Sequence, residues 1–269
     1  MEMAKTLEDR VVETDARPPY ASHQVRIEPS GRRVRAFFGG EAIVDSRNAL
    51  LVYEPRRLPV YYFPARDVRV ELLKPTRNET DSGGAGEVAR WNLEAGDRVA
   101  ANAAWSYREP SGERAPLKDH FAFYWNALDS WYEEDDEVFV HPRDIYHRVD
   151  VLNSSRHVSV VVEGEVVAET DKPRLLFETG LPTRYYIPKL DVRMDLLEPT
   201  DSLTACPYKG EARYWSVRAG GKVVKDLVWS YPAPIPECPK IENLLSFYNE
   251  KADIYVDGEL QPRPKTPWS

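Results

Sequence analysis

Cysteine is scarce: two residues in a chain of 269 cannot build a disulfide framework, nor supply the four thiolates of a structural zinc site. The expectation is a reduced, cytoplasmic protein that binds no metal. Long apolar runs are lacking too, with nothing near the roughly 18 to 20 residues of a membrane span. The first 22 residues are charged and hold no apolar stretch of the kind that marks a secretory leader. No membrane partner is expected. Positive charge is in deficit, 36 Lys and Arg against 44 Asp and Glu, for a formal net charge of -8. No window interleaves basic and aromatic residues, so nucleic acid is not an expected partner. Also missing are a Ser-His-Asp order, an HExxH pair and a Cys-x-x-Cys pair.

What is present is a duplication. Tyr61-Tyr62-Phe63-Pro64 recurs as Tyr185-Tyr186-Ile187-Pro188, an offset of 124 residues. The same offset, without a gap, pairs Gly40-Glu41 with Gly164-Glu165 and Asp67-Val68-Arg69 with Asp191-Val192-Arg193. It also pairs Trp91 with Trp215 and Trp105-Ser106-Tyr107 with Trp229-Ser230-Tyr231. About a third of positions between 23 and 110 match, with two tryptophans in register, and the period is that of a domain rather than a solenoid. The chain reads as two copies of one domain, over 23–130 and 147–260, forming a pseudo-dimer within one chain.

Each copy reads as all-β with minor helix, because its segments are short, rich in Val, Tyr, Phe and Trp, and punctuated by turn residues. Hairpins are expected at Val34–Val44 and His157–Ala168, and from Ala212 through Ala219-Gly220-Gly221 to Tyr231. Ile241–Ser246 and its counterpart Leu117–Phe121 suggest a helical turn or two. Residues 1–22 suggest a flexible arm and 261–269, with three prolines, a flexible tail. The acidic segment 131–146 reads as a connection between the copies. Its five carboxylates Glu133-Glu134-Asp135-Asp136-Glu137 are of a type that binds a hard cation, but a solvated strand edge or linker is the simpler reading.

The loop Cys206-Pro207-Tyr208-Lys209-Gly210-Glu211 carries the sharpest local chemistry. Pro207 biases Cys206 toward an extended backbone, and Gly210 permits a tight turn beside Lys209. Thiol, phenol and amine can therefore converge. A nearby ammonium lowers a thiol pKa and an apolar pocket lowers that of a lysine, and either change makes Cys206 or Lys209 a candidate catalytic group. The plainer alternative is a space-filling Cys, a Tyr packed on Pro and a Lys paired with a carboxylate. The first copy holds Ser82, Gly83, Gly84 and Ala85 where the second has Cys206 to Lys209. Activity, if this loop carries it, belongs to the second copy. His23 and His147 match across the copies and read as structural.

Further residues shared by both copies complete a candidate pocket in the second: Tyr186, Asp191, Arg193, Glu211, Trp229 and Tyr231, with Tyr208 from the loop. Aromatics at strand positions are ordinarily core, and an Asp with an Arg two residues on can neutralise itself on one strand face. An aromatic-walled pocket with a carboxylate and a guanidinium for orientation is the alternative.

Arg156–Val167, Tyr185–Pro188 with Asp191-Val192-Arg193, Cys206–Ala212 and Trp229-Ser230-Tyr231-Pro232 resemble the successive signatures of the family called domain of unknown function 427. The resemblance covers nearly all of the second copy, and the first without its Cys-Pro-Tyr-Lys-Gly segment. It implies a β-tent fold of two meeting antiparallel sheets, shared with methionine sulfoxide reductase B and the drug-binding domain of cereblon. Many β-tent proteins hold zinc through two Cys-x-x-Cys pairs; neither pair exists here, so no metal is carried over. Some catalogues attach a nucleotidyltransferase label. A polymerase-type transferase needs a Gly-Ser helix start and clustered metal-binding carboxylates, and Asp191 with Asp195 does not supply them.

These observations point to a protein that binds a small molecule in an aromatic pocket of the second domain. They leave catalysis, cofactor, ligand identity and oligomeric state open. A structural or protein-interaction scaffold is the other reading.

Overall fold

A computed structural model describes residues 12–13, 25–54, 57–80 and 87–269. Most of residues 1–22, His23 and the segment Ser82–Ala85 lie outside the described residues. The chain divides into two compact units, Tyr20–Asp144 and Met1–Pro19 with Ile145–Ser269. Each contains a seven-stranded and a four-stranded antiparallel sheet.

In the first repeat the large sheet runs in the order Arg26–Pro29, Leu50–Tyr53, Val60–Pro64, His120–Phe123, Arg98–Tyr107, Glu87–Ala95, Leu73–Thr80. The small sheet runs Asp136–Glu137, Ser130–Glu133, Val34–Phe38, Glu41–Ser46. The second repeat repeats both orders. Its large sheet is Val149–Asn153, Arg174–Glu178, Arg184–Ile187, Leu245–Phe247, Lys222–Ser230, Gly210–Ala219, Leu197–Cys206. Its small sheet, read from the matching edge, is Glu259–Leu260, Asp253–Val256, Val158–Val162, Glu165–Thr170. Most irregularities coincide: register shifts at Ala36/Phe37 and Trp91/Leu93 recur at Val160/Val161 and Trp215/Val217, while the one at Pro75/Asn78 recurs one residue longer at Pro199/Leu203. Bulges bend strands and set local twist, so shared bulges mean shared sheet curvature.

Alternation builds the cores. Val34–Phe38 and Val158–Val162 both bury every second residue, turning one face of the small sheet onto the large one. In the first repeat Val34, Ala36, Phe38, Ile43, Phe63, Leu93 and Trp131 pack together, and in the second Val158, Val160, Val162, Ile187, Val217 and Leu245. This two-sheet arrangement over one core is the β-tent form that the resemblance implies. The other face of each large sheet carries a second cluster, Val52, Tyr62, Val88, Tyr107 and Leu117 in the first repeat, Leu176, Tyr186, Ala212, Trp229, Tyr231 and Cys238 in the second. Alternate residues of one strand point to opposite faces, so Tyr61 joins the inner core and Tyr62 the outer cluster.

The expected helical turns are corrected. Pro239–Ile241 is a single 3-10 turn followed by the strand Leu245–Phe247, and in the first repeat Gly112–Leu117 gives way to the strand His120–Phe123. The switch occurs at Asn243 and Asp119, whose φ values of 56° and 58° are left-handed. Asn and Asp tolerate that conformation, which ends a helical turn and redirects the chain.

The acidic segment is not a bare connection. Ser130–Glu133 and Asp136–Glu137 are strands, and Glu133 is buried while its four acidic neighbours are exposed. The Tyr61 hydroxyl donates to Glu133 Oε1 at 2.5 Å, and Arg32 and Arg143 donate to Oε2. Burial first, and then the Glu133 charge, drive the Tyr61 pKa far up, so its hydroxyl keeps its proton. Val256 holds the matching strand position in the second repeat, opposite Val158 as Glu133 lies opposite Val34. Glu133→Ala therefore removes the acceptor of a buried phenol and should destabilise the protein by about 1–3 kcal/mol in urea melts, whereas Asp136→Ala should stay within about 0.5 kcal/mol.

Candidate functional site

The Cys206 loop is built by strand register. Cys206 pairs with Gly210 across the hairpin, leaving Pro207, Tyr208 and Lys209 as a three-residue connection. Gly210 holds φ at 100°, and a Cβ there would meet the Ala233 carbonyl oxygen at 3.2 Å. Glycine thus serves both the turn and the close approach of the chain at Ala233–Ile235, where the Ile235 amide donates to the Lys209 carbonyl at 3.2 Å.

Lys209 turns inward. Its Nζ lies 2.6 Å from each oxygen of Glu178, and both side chains are buried. His147 Nε2 donates to Glu178 Oε1 at 2.9 Å, and the His147 ring stacks on Tyr208 with centroids 4.0 Å apart. His147, read from sequence as structural, thus belongs to this cluster. Burial raises the Glu178 pKa, but the Lys209 charge and the His147 and Lys209 hydrogen bonds outweigh it and bring the pKa down to about 2. Burial lowers that of Lys209, yet the Glu178 charge wins and the pKa is raised above its ordinary value. The expected depression of the Lys209 pKa is therefore reversed, because a carboxylate shares its apolar surroundings. Both cysteines are free thiols. Cys238 donates to the Tyr208 carbonyl at 3.3 Å, and burial pushes its pKa up to about 11.

The candidate residues separate into two groups. Cys206, Tyr208 and Lys209 come together with Tyr186, Trp229 and Tyr231 on the outer face of the large sheet: Cys206 packs against the buried aromatics, and the Trp229 indole donates to the Tyr186 hydroxyl at 3.1 Å. Asp191, Arg193 and Glu211 go elsewhere. Asp191 accepts from the Thr170 hydroxyl at 2.6 Å, Arg193 pairs with Asp195 at 2.7 Å rather than with Asp191, and Glu211 pairs with Arg213 at 3.2 Å in an exposed position.

Sequence reasoning missed Glu178, although a signal existed. Glu178 matches Glu54 at the same offset, and both accept ion pairs, Glu54 from a half-buried position. Glu54 receives Arg114 Nη2 at 2.6 Å and Arg57 Nη1 at 3.0 Å. Arg114 occupies the register position of Cys238, so each repeat neutralises the same carboxylate with a cation from a different loop.

An open cavity lies on the outer face of the first repeat. It has a volume of about 610 Å³ and is walled by Tyr62, Trp105, Tyr107, Tyr124, Trp125 and Trp131, with Glu54, Arg57, Arg90 and His141 as polar groups. Trp105 and Tyr124 meet with ring centroids at 4.6 Å and an interplanar angle of 47°, and Trp125 stacks on Trp131 at 4.5 Å. The second repeat keeps part of this wall, with Trp229 and Tyr248 at 4.6 Å and 48°, but has Asn249 and Ile254 where the first has Trp125 and Trp131. There the space is taken by Arg184, the counterpart of Val60. Its guanidinium lies 5.4 Å from the Trp229 ring and 5.7 Å from Tyr248 and Trp268, and it donates two hydrogen bonds of 2.6 Å to Glu250. Among the described residues no group of three or more His, Cys, Asp or Glu side chains is placed to hold a metal ion, and no helix is long and apolar enough to cross a membrane.

The fold and this face define a tandem all-β protein in which one domain occurs twice, each copy with an aromatic wall beside a cation-held carboxylate. The chain belongs to the family described as domain of unknown function DUF427, whose profile matches residues 26–134 and 150–258. No curated protein matches the chain.

Because the Glu178 pKa is depressed in the fold, its contribution is full above about pH 4.5 and is lost as pH falls toward about 2. Glu178→Gln should lower stability by on the order of 3 kcal/mol at neutral pH. Melting curves of the two proteins should converge between those pH values.

Proposed function

We propose that the protein binds a small organic molecule in the aromatic cavity of the first repeat. The observation that carries this reading is the contrast between the copies: the pair Trp229 and Tyr248 faces Arg184 in one repeat, and its counterpart Trp105 and Tyr124 borders open space in the other. The cavity volume lies within the roughly 300–1,000 Å³ of small-ligand sites, and apolar walls with a few polar groups are their usual lining. Flat, rigid aromatic walls bind flat guests at low entropic cost, since few rotamers are lost on association.

Thermal-shift screening of aromatic metabolites tests the reading. Binding should raise the melting temperature, Val60→Arg should abolish the shift by restoring a plug, and Trp105→Leu should weaken binding by about tenfold. Failure of every compound to shift the melt, or a shift unchanged in both variants, would favour the scaffold role instead.

A second reading puts a small-molecule site in the second repeat around Cys206 and Lys209. It draws support from the buried cluster of Lys209, Glu178, His147 and Tyr208 beside the half-buried Cys206. With Glu178 in contact, Lys209 acts there as an ammonium that orients an anionic group or a thiolate, rather than as a nucleophile. Lys209→Met should then slow alkylation of Cys206 at neutral pH by about tenfold, measured by mass spectrometry of the Cys206 peptide against the urea-unfolded protein. Equal rates in both proteins would remove the cluster from chemistry.

A further inference from the structure

Besides the Arg184 box and the Cys206 loop, the second repeat holds a polar cavity of about 340 Å³. Its walls include Lys189, Thr200, Arg213, Trp215, Ser230 and Asn243, and no Asp or Glu is among the lining residues. Sheet register fixes the counterpart of each in the first repeat. Arg213 lies opposite Ser230 as Ala89 lies opposite Ser106, and Pro199 lies opposite Trp215 as Pro75 lies opposite Trp91. Lys189 and Ala65 each open the 3-10 turn that follows the Tyr-Tyr strand. Asn243 and Asp119 each stand two residues before the partner of Ile187 or Phe63, and both are left-handed. Two cations therefore stand where the first repeat has alanine, and a neutral amide where it has a carboxylate. In the other direction, Tyr214 and Pro232 replace Arg90 and Arg108, but Arg90 lines the aromatic cavity and Arg108 pairs with Glu87 at 3.5 Å.

Hydrogen bonding differs in the same sense. In the first repeat the Trp91 indole donates to the Ser106 hydroxyl at 3.1 Å. Trp215 and Ser230 hold the same positions in the second, yet neither side chain has a hydrogen-bond partner among the described residues, although Ser230 is only 3% exposed. The Lys189 ammonium and the Asn243 amide have none either, and Arg213 has one exposed pairing, with Glu211 at 3.2 Å. Thr200 is committed to Asp226 at 2.7 Å. Ammonium, guanidinium and indole N–H groups only donate, so what fits this cavity is rich in acceptors.

We infer that the cavity binds a small oxyanion, the phosphate or sulfate group of an ester or the free ion. Lys189 and Arg213 supply charge-assisted hydrogen bonds, and Ser230, Trp215 and Asn243 supply neutral ones. An exposed pair such as Arg213 with Glu211 costs little to open. The donors come from a 3-10 turn, two adjacent strands and the left-handed turn at Asn243. Donors spread over four elements suit a tetrahedral group better than a planar carboxylate.

An NMR titration of the isotope-labelled full chain tests the inference at the indole N–H signal of Trp215, which Trp215→Phe identifies. Inorganic phosphate, methyl phosphate, sulfate and acetate are added at constant ionic strength, so that general screening stays fixed. Phosphate, its methyl ester or sulfate should shift the signal along a saturating curve and bind at least about fivefold tighter than acetate. Lys189→Ala and Arg213→Ala install the first repeat's residues and should each weaken binding by about tenfold, as should Asn243→Asp. Lys222→Gln removes a charge at an exposed ion pair elsewhere in the same repeat and should change affinity by less than about twofold. Tighter binding of the methyl ester assigns the ligand to an ester and tighter binding of phosphate or sulfate to the free ion, and either supports the inference. Acetate binding as tightly as the tetrahedral anions would overturn it. So would a shift that never saturates, or equal losses in Lys189→Ala and Lys222→Gln, the mark of a bulk-charge effect.

Discussion

One carboxylate near the end of the second strand of each large sheet organises the outer face. Glu54 and Glu178 sit at equivalent positions, the first half-buried and the second with its side chain 5% exposed, and withdrawing a carboxylate from water is costly unless a cation accompanies it. Each must therefore draw in a positive charge, and the loops that cover the sheet are placed by that demand. In the first repeat Arg114, within the 3-10 turn Gly112–Leu117, answers it. In the second Lys209, from the hairpin loop, answers it, and the space at Arg114's position passes to the Cys238 thiol. A single electrostatic constraint thus has two solutions, and choosing between them changes which loop is pinned. The Cys-Pro-Tyr-Lys-Gly segment reads as a lock before it reads as anything else: its charge is spent on Glu178, its ring lies on His147, and its carbonyls receive Cys238 and Ile235.

Much of the architecture was legible because the duplication compares the chain with itself. Most strands, two of the three bulges and the left-handed Asp119 and Asn243 fall at the same offset, and Trp91 with Trp215 or Tyr62 with Tyr186 mark faces that two copies would not keep by chance. The register also slips where packing lets it. Val34 lies opposite Glu133, but Val158 lies opposite Val256, an offset of 123 rather than 124, so one residue was gained or lost in the turn after Trp125 or Asn249. The acidic segment misled for a related reason: a run of five carboxylates suggests solvent, yet strand alternation carries one of them, Glu133, into the interior beside Tyr61.

The candidate site was less legible, and the reason is physical. Lys209 in a hairpin loop and Glu178 at the end of a strand are 31 residues apart, and only the sheet order brings them together. The sequence draws attention to reactive side chains, whereas space is decided by the residues that fill it. Val60 against Arg184 looks like ordinary drift between copies, but it separates an open aromatic box from a closed one. Asp191 and Arg193 matched across the copies because they brace the small sheet and the adjoining turn, through Thr170 and Asp195, not because they face a pocket.

Arg184 can also be regarded as a ligand that never leaves. Tethered to the strand that forms the wall of its box, it is present at a fixed and high effective concentration, so occupancy of the second repeat does not depend on what the solution contains. In the first repeat Val60 holds that position and supplies no such tether. On the binding reading proposed above, a guest there would stabilise the repeat by an amount that rises with the logarithm of its free concentration. The duplication would then join a domain of constant stability to one whose stability follows its surroundings.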